Sequence, residues 1–287
     1  MVVTALHRSL LTIQGIRDTY EYDSASPLPG ATKPLQGRSI VGQQDVVIKY
    51  APREQDQRLL DKECAAYQRI QKEGGHRNII APLEIILESQ LPVYLVLPFM
   101  PGRDLFDILQ APLSLPEAAV IVQELSDTVH FVHRAGIVHR DLSLYNVRIF
   151  EMEENIQVTL YDFNNSSIFD GVPLSTEHEN VGSPEYTAPE IWDKEFFDHR
   201  ADLYSFGIVA YAMLTGACPY QSEEENLLDL VEDLREQHLY NPIPSARAEN
   251  LSLSDDVDWF FERALAKIPE ERFQTAKEFN RDFQKLL

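Results

Sequence analysis

Three polar side chains at fixed spacing suggest the chemistry of this chain. Asp141 is followed five positions later by Asn146, and Asp162 comes sixteen residues after that amide. One carboxylate can orient a hydroxyl group or accept its proton, and an amide with a second carboxylate can hold Mg²⁺ through oxygen atoms. Transfer of a phosphoryl group requires such a set of groups. The spacing therefore predicts a phosphoryl-transfer site with Asp141 at the hydroxyl and Asn146 and Asp162 at the metal.

The segment between Asn146 and Asp162 is predicted to be a β-hairpin. Val147–Phe150 and Ile156–Tyr161 read as two strands around the polar turn Glu151–Asn155. The distance along the chain between the amide and the second carboxylate suits such a hairpin.

The stretch Ile137–Asn146 and the triplet Asp162-Phe163-Asn164 resemble two motifs of the protein kinase family. These motifs are the catalytic loop H-R-D-L-x-x-x-N and its partner D-F-G, with Asn164 in place of the glycine. Asparagine is the residue that best tolerates a positive φ after glycine. The resemblance implies transfer of the ATP γ-phosphate to a protein hydroxyl group, with ATP and Mg²⁺ as cofactors.

The resemblance continues on both sides of these motifs, from about residue 18 to residue 285. Val46-Val47-Ile48-Lys49 looks like the V-A-I-K strand of the family, so Lys49 would contact the α- and β-phosphates of ATP. Glu63 lies in the helix predicted to follow this strand and would be the partner of Lys49.

The stretch Tyr94–Leu105 looks like the strand that enters the kinase hinge. The resemblance makes Leu97 the gatekeeper, places the backbone of Met100 at the adenine, and lets Asp104 reach a ribose hydroxyl group. Val47 replaces the usual small alanine beside the adenine and should tighten the pocket.

Three further residues resemble scaffold positions of the family. Gly182–Glu190 is similar to the substrate-docking segment G-T-P-x-Y-x-A-P-E. Asp202 resembles the aspartate that caps the catalytic loop, and Arg272 would pair with Glu190. We interpret Glu190, Asp202 and Arg272 as structural.

The phosphate-binding loop departs from the family pattern. Ala25–Gly30 takes the place of G-x-G-x-x-G, and only Gly30 remains. Two prolines in this stretch remove backbone donors that glycine loops offer to phosphates. Ser143 also replaces the lysine that many Ser/Thr kinases have two residues after the catalytic aspartate.

Two functions therefore remain open. One is an active protein kinase that phosphorylates serine or threonine. The other is a pseudokinase, a nucleotide-binding or scaffolding module with little or no phosphotransfer. A small-molecule kinase of related fold is disfavoured by the docking segment Gly182–Glu190.

Arg140 immediately precedes the catalytic aspartate and suggests how the protein is switched. Kinases with this arginine usually need a phosphate on the activation loop to neutralise it. Counting back from Ser183 gives Glu179 at the usual acceptor position. We hypothesise that Glu179 binds Arg140 and keeps the loop ordered, with Ser175 and Thr176 as alternative phosphorylation sites.

The coarse pattern of elements predicts an α+β, bilobal kinase-like fold. A small antiparallel sheet lobe with one helix, residues 1–97, is expected to be joined by a hinge, 98–102, to a larger, mainly helical lobe, 103–287. The predicted strands of the first lobe are Asp18–Tyr22, Leu35–Val41, Val46–Tyr50, Leu83–Leu87 and Val93–Leu97. The predicted helices are Arg58–Gln71, Pro116–His133, Leu203–Leu214, Asn226–Gln237, Asp255–Ala266 and Thr275–Leu286.

The composition limits the partners. A net charge of −21 argues against binding to nucleic acid or to anionic membranes and favours basic protein partners. Two cysteines are too few for a disulfide framework, and we find neither a signal peptide nor an apolar run long enough to span a membrane. A cytoplasmic or nuclear protein is expected, and its oligomeric state stays open.

Overall fold

The computed structural model describes residues 11–27, 34–51, 54–88, 91–152, 155–169, 174–175, 182–193 and 196–287. This part of the chain divides into two compact units. The first contains the described residues up to Gly75 together with Ile80–Pro101, and the second contains His76–Ile79 and Gly102–Leu287. Sheet dominates the first unit and helix the second, so the predicted α+β class is confirmed. The functional division at 97 and 102 stays a prediction.

An antiparallel sheet forms the body of the first unit. Its strands are β1 (Leu11–Gln14), β2 (Thr19–Pro27), β3 (Leu35–Ser39), β4 (Asp45–Tyr50), β5 (Glu84–Glu88) and β6 (Leu91–Pro98), and its helix is α1 (Glu54–Lys72). Among the described residues the strand order is β1-β2-β3-β4-β6-β5. Alternate side chains of these strands are buried together as a core, and the helix packs on β4 and β6. The core residues are Ile13, Tyr20, Leu35, Val46, Ile48 and Val96.

The five strands and the helix predicted for this region are present with shifted ends, and β1 is an additional strand. The turn between β1 and β2 is fixed by the buried carboxylate of Glu84. This carboxylate accepts hydrogen bonds from the backbone N–H of Arg17 at 3.2 Å and from the hydroxyl group of Tyr20 at 3.0 Å. The four residues of β1 bury only Ile13, which is too short a pattern for periodicity to detect.

The second unit is built around one buried helix. Its helices are α2 (Leu105–Ile108), α3 (Leu115–Arg134), α4 (Pro189–Trp192), α5 (Arg200–Thr215), α6 (Leu227–Tyr240), α7 (Ala246–Glu249), α8 (Asp256–Ala264) and α9 (Ala276–Phe283). Its short strands are β7 (Arg103–Asp104), β8 (Ile137–Val138), β9 (Val147–Glu151), β10 (Ile156–Leu160), β11 (Ser167–Ile168), β12 (Leu174–Ser175) and β13 (Phe196–Phe197). Every residue of α5 from Ala201 to Leu214 is buried, as its apolar sequence predicts.

Local signals explain where the main helices begin and end. Ser114 and Glu117 form a reciprocal capping box before α3, and Pro116 lies in its first turn. Gly216 ends α5 with a φ of 89°, a left-handed conformation that glycine adopts without strain. None of the helices in the described residues is long and apolar enough to cross a membrane.

Candidate active site

The loop between β8 and β9 carries Asp141 and is anchored by the buried Asp202 at the start of α5. The carboxylate of Asp202 accepts hydrogen bonds from the backbone N–H groups of His139 and Arg140, each at 2.8 Å, and contacts Nε2 of His133 at 2.8 Å. Burial alone would raise the pKa of Asp202, but these hydrogen bonds and the nearby histidines outweigh it and hold the pKa below its ordinary value. The loop is therefore fixed by the aspartate that the sequence assigned to this role.

The carboxylate of Asp141 is held by four donors on two sides. Its Oδ1 accepts from the backbone N–H and from Oγ of Ser183, both at 2.9 Å. Its Oδ2 accepts from Nδ2 of Asn146 at 3.1 Å and from Nδ2 of Asn165 at 3.3 Å. Asp141 itself remains partly exposed. The result is an oriented carboxylate that solvent and other molecules can reach.

Gly182 allows the docking segment to approach this carboxylate. Its φ is 78°, and a Cβ atom at this position would lie 2.9 Å from the carbonyl oxygen of Arg140 and 3.1 Å from Oδ1 of Asp141. Any side chain here would be strained and would push Ser183 away from Asp141.

Asn146 and Asp162 lie at the two ends of the predicted hairpin, which is present as β9 and β10. Val147 pairs with Leu160, and the backbone N–H of Tyr161 donates to the carbonyl oxygen of Asn146 at 3.1 Å. Nδ2 of the buried Asn146 donates to the backbone oxygen of Asp141 at 2.7 Å and to its Oδ2 at 3.1 Å. The carbonyl oxygen of Asn146 and the Asp162 carboxylate are hard oxygen donors, so the pair fits Mg²⁺.

The turn after Asp162 differs from the sequence-based expectation. The positive φ, 64°, falls on Asp162, and Asn164 is not among the described non-glycine residues with positive φ. Phe163 is fully buried, with its ring 4.8 Å from that of His139. Asn164 is 4% exposed, and its Oδ1 has no hydrogen-bond partner within the described residues. The asparagine thus fills the glycine position as a buried polar side chain and does not supply the unusual backbone angle.

In the first unit, Lys49 on β4 and Glu63 on α1 form the predicted ion pair. Nζ of Lys49 lies 2.7 Å from Oε1 and 2.9 Å from Oε2 of Glu63. The two residues are 6% and 1% exposed. Packing of α1 on β4 holds the ammonium group in place, as binding to a phosphate would require.

The predicted adenine-contacting residues share one stretch of this sheet. Val47 on β4 is the register partner of Leu97 on β6; Leu97 is buried and Val47 is half-buried. Met100 follows β6 and is half-buried. Gly30, the remaining glycine of the predicted phosphate loop, lies outside the described residues. The start of that predicted loop, up to Pro27, belongs to β2.

Asp104 in β7 is already engaged by neighbours in the second unit. Its Oδ1 accepts a hydrogen bond from the hydroxyl group of Tyr161 at 3.0 Å and lies 3.3 Å from Nε of Arg148. Burial raises the pKa of Asp104, while Arg148 and Tyr161 act in the opposite direction without cancelling it. Contact of Asp104 with a ribose stays a prediction.

Arg140 contacts elements on both sides of the catalytic loop. Its Nη1 donates to Oγ of Ser167 in β11 at 3.2 Å, and its guanidinium carbon lies 4.9 Å from the ring centre of Phe197 in β13. Burial lowers the pKa of Arg140 to about 10, although Asp202 and Asp141 favour its charged form. Of the residues predicted to switch the loop, Ser175 lies in β12, and Glu179 and Thr176 lie outside the described residues.

A cavity of about 340 Å³ lies beside the catalytic loop in the second unit. Leu144 and Tyr145 of the loop line it together with Phe106, and Glu185 places a carboxylate among these mainly apolar walls. The rings of Phe106 and Tyr145 stack at 4.4 Å.

The predicted pair of Glu190 and Arg272 is present and buried. Nη1 and Nη2 of Arg272 donate to the two carboxylate oxygens of Glu190 at 2.8 and 2.7 Å.

The sequence did not single out Asn165, or Ser183, as a contact of Asp141. An Asn-Asn pair after Asp162-Phe163 signals a turn, but the sequence does not indicate that this turn reaches the catalytic loop.

Comparison with known proteins agrees with this geometry. A family model for the protein kinase domain matches residues 33–283. The serine/threonine-protein kinase Pkn1 of Myxococcus xanthus is 31% identical over 212 residues, 73% of this chain and 30% of that protein. A probable myosin light chain kinase of Dictyostelium discoideum is 33% identical over 207 residues, 71% of this chain and 62% of that protein. A probable serine/threonine-protein kinase of Clostridium perfringens is 28% identical over 211 residues, 73% of this chain and 29% of that protein.

The chain spans less than two thirds of the length of each of these relatives. The family match covers most of the chain, including Lys49, Asp141, Asn146 and Asp162, and the predicted kinase-like fold class is confirmed. The chain belongs to the protein kinase family.

Proposed function

We propose that this domain transfers the γ-phosphoryl group of ATP to a serine or threonine hydroxyl group of a protein substrate. The observation that carries the proposal is the Asp141 carboxylate, which is partly exposed and oriented by Ser183, Asn146 and Asn165. A carboxylate in fixed orientation can accept the hydroxyl proton as the oxygen attacks phosphorus. The names of two relatives, serine/threonine-protein kinases, support the choice of acceptor.

Each of the remaining residues then has a defined task. Lys49, oriented by Glu63, binds the α- and β-phosphates. The carbonyl oxygen of Asn146 and the carboxylate of Asp162 hold Mg²⁺, which when bound neutralises charge on the phosphate oxygens. Asp141 takes up the proton on its carboxylate.

The resemblance also assigns residues to the adenosine portion of ATP. Val47 and Leu97 contact the adenine ring, the backbone of Met100 forms its hydrogen bonds, and Asp104 binds the ribose. The resemblance assigns Gly30 to the phosphate-binding loop. Because the other two glycines are missing, we expect weak binding that depends on Mg²⁺.

We further propose that the protein substrate is basic near its acceptor residue. The net charge of −21 favours encounter with cationic partners. An acidic surface at the start of α6 is negatively charged, like the chain as a whole. It comprises Glu223, Glu224, Glu225, Asp229, Glu232 and Asp233, of which Glu232 is paired with Arg235 at 2.7 Å.

The test is incubation of the purified protein with labelled ATP, Mg²⁺ and a mixed peptide library. We expect label on serine and threonine peptides, enriched in arginine or lysine around the acceptor. Label confined to tyrosine would contradict the acceptor class, and acceptors without basic enrichment would contradict the substrate preference.

The second candidate is a pseudokinase, and Asn164 is the observation that favours it. A buried amide oxygen without a hydrogen-bond partner costs stability in the segment that carries Asp162. If that cost displaces Asp162 from Mg²⁺, Asn164→Gly should create activity in an inactive wild-type protein. A wild type that already labels peptides would exclude this function.

A further inference from the structure

The turn after Phe163 carries an amide to the carboxylate of Asp141. The backbone N–H of Ser166 donates to the carbonyl oxygen of Phe163 at 3.0 Å, so Asn164 and Asn165 occupy the two central positions of this turn. An asparagine in a turn commonly bonds to its own nearby backbone. Here Nδ2 of Asn165 contacts Oδ2 of Asp141, 24 residues earlier in the chain, at 3.3 Å.

The donors around Asp141 are shared unequally between its two oxygens. Both donors to Oδ1 belong to Ser183, whereas Oδ2 receives one from Asn146 and one from Asn165. Asn146 also donates to the backbone oxygen of Asp141 and is the candidate metal ligand. Of the two donors to Oδ2, Asn165 is therefore the one that has no other role in the proposed reaction.

Ser143, two residues after Asp141, does not supply this support. Its side chain is fully buried, and its Oγ has no hydrogen-bond partner within the described part of the chain. Ser143 lies in the same loop as Asp141 but does not contact its carboxylate. The contact comes instead from Asn165, in the turn after Phe163.

Building on the proposed kinase activity, we propose that Asn165 is a positioning residue for phosphoryl transfer. Its Nδ2 opposes rotation of the Asp141 carboxylate, so that Oδ2 keeps one orientation when it receives a proton. In that step the acceptor hydroxyl oxygen bonds to the γ-phosphorus and its proton passes to Asp141. The bond from the γ-phosphorus to the bridging oxygen breaks, and its electron pair stays on ADP.

Steady-state kinetics of three variants test this role. Asn165→Ala removes the donor and should lower kcat about 10-fold, with KM for ATP and for peptide within about twofold of wild type. Asn165→Gln keeps an NH₂ group and should restore most of kcat. The control is Asn280→Ala in α9, whose amide donates to Oε1 of Gln123 at 2.7 Å, and it should behave as wild type. Wild-type kcat in Asn165→Ala, or an equal fall in Asn280→Ala, would overturn the proposal.

A second measurement does not depend on activity. If the two side chains are in contact, the changes in Tm caused by Asn165→Ala and Asp141→Ala should be non-additive in the double variant, whereas Asn280→Ala should add to Asp141→Ala. Additive shifts for Asn165→Ala would overturn the contact even in an active enzyme. If the Tm shifts of the variants are non-additive but the wild-type protein transfers no phosphate, the contact stands, while the proposed function and the positioning role are both overturned.

Discussion

Two polar clusters of the second unit use their hydrogen bonds in opposite ways. In the cluster around Arg272, the guanidinium group is fully buried and donates to both oxygens of Glu190. It also donates to the backbone oxygens of Ala266 at 2.7 Å, Lys267 at 3.0 Å and Arg200 at 3.1 Å. Protein groups thus use all five of its N–H donors.

The cluster around Asp141 contains a carboxylate that remains partly exposed. Its partners, Ser183, Asn146 and Asn165, are small and neutral, and they orient the charge without neutralising it. A charge that is buried and fully paired stabilises one arrangement of the chain. A charge that is oriented and reachable can take part in chemistry, so we expect changes around Arg272 to alter stability and changes around Asp141 to alter turnover.

The largest loss of stability is expected from Arg272→Ala. The variant would leave the buried Glu190 carboxylate unpaired, and the free energy of unfolding should fall by about 3–5 kcal/mol. Urea denaturation followed by circular dichroism measures this loss. The control is Arg281→Ala, because Arg281 pairs with Asp282 with 62% of its side chain exposed, and its removal should cost far less stability than that of Arg272. Equal losses in the two variants would remove the distinction between the clusters.

A pH-dependent loss is expected from His238, which is buried beside Arg272's neighbours Tyr204 and Lys267. Burial, with Lys267 nearby, lowers the pKa of His238 to about 3, from an ordinary value near 6.5. Between these values the unfolded chain binds the proton that the folded protein excludes, so the free energy of unfolding falls as the pH is lowered. From pH 7 to pH 4.5 this group alone should cost on the order of 3 kcal/mol.

Urea denaturation of wild type and His238→Asn at both pH values isolates this contribution. The variant keeps an acceptor for the hydroxyl group of Tyr204, which lies 2.9 Å from Nδ1 of His238. The variant should be less stable than wild type at pH 7, but its free energy of unfolding should fall by less between pH 7 and pH 4.5. Equal losses in both proteins would show that His238 does not titrate in this window.

The sequence predicted the elements with long repeating patterns and the residues within motifs. The wholly apolar α5, the hairpin that joins Asn146 to Asp162, and the pairing of Lys49 with Glu63 follow from periodicity or from resemblance. The contact of Asn165 with Asp141 did not follow, because two loops distant in sequence meet only in the folded unit. The positive φ of Asp162 was missed for a related reason: the surrounding fold, and not residue preference, selects that angle.

A smaller gain in stability is expected when ATP binds, and only when Mg²⁺ is present. With Mg²⁺, saturating ATP should raise the Tm of the wild type by a few degrees, since a ligand that binds only the folded state stabilises it. Asp162→Ala should lose this shift, whereas Asp107→Ala, at an exposed position of α2, should keep it. A shift of the same size without Mg²⁺ would contradict the assignment of Asn146 and Asp162 to the metal.

A labelled-ATP transfer assay of wild type and Asp141→Asn tests whether phosphoryl transfer depends on the Asp141 carboxylate. The two side chains are nearly isosteric, so the variant should still fold, with a lowered Tm because an NH₂ group replaces an oxygen that accepts two hydrogen bonds, while an amide cannot take up the hydroxyl proton. We expect labelled substrate with wild type and at least about a 100-fold lower rate with Asp141→Asn. Equal labelling by the two proteins, or no labelling by either on any substrate, would contradict the claim that this domain is a protein kinase working through Asp141.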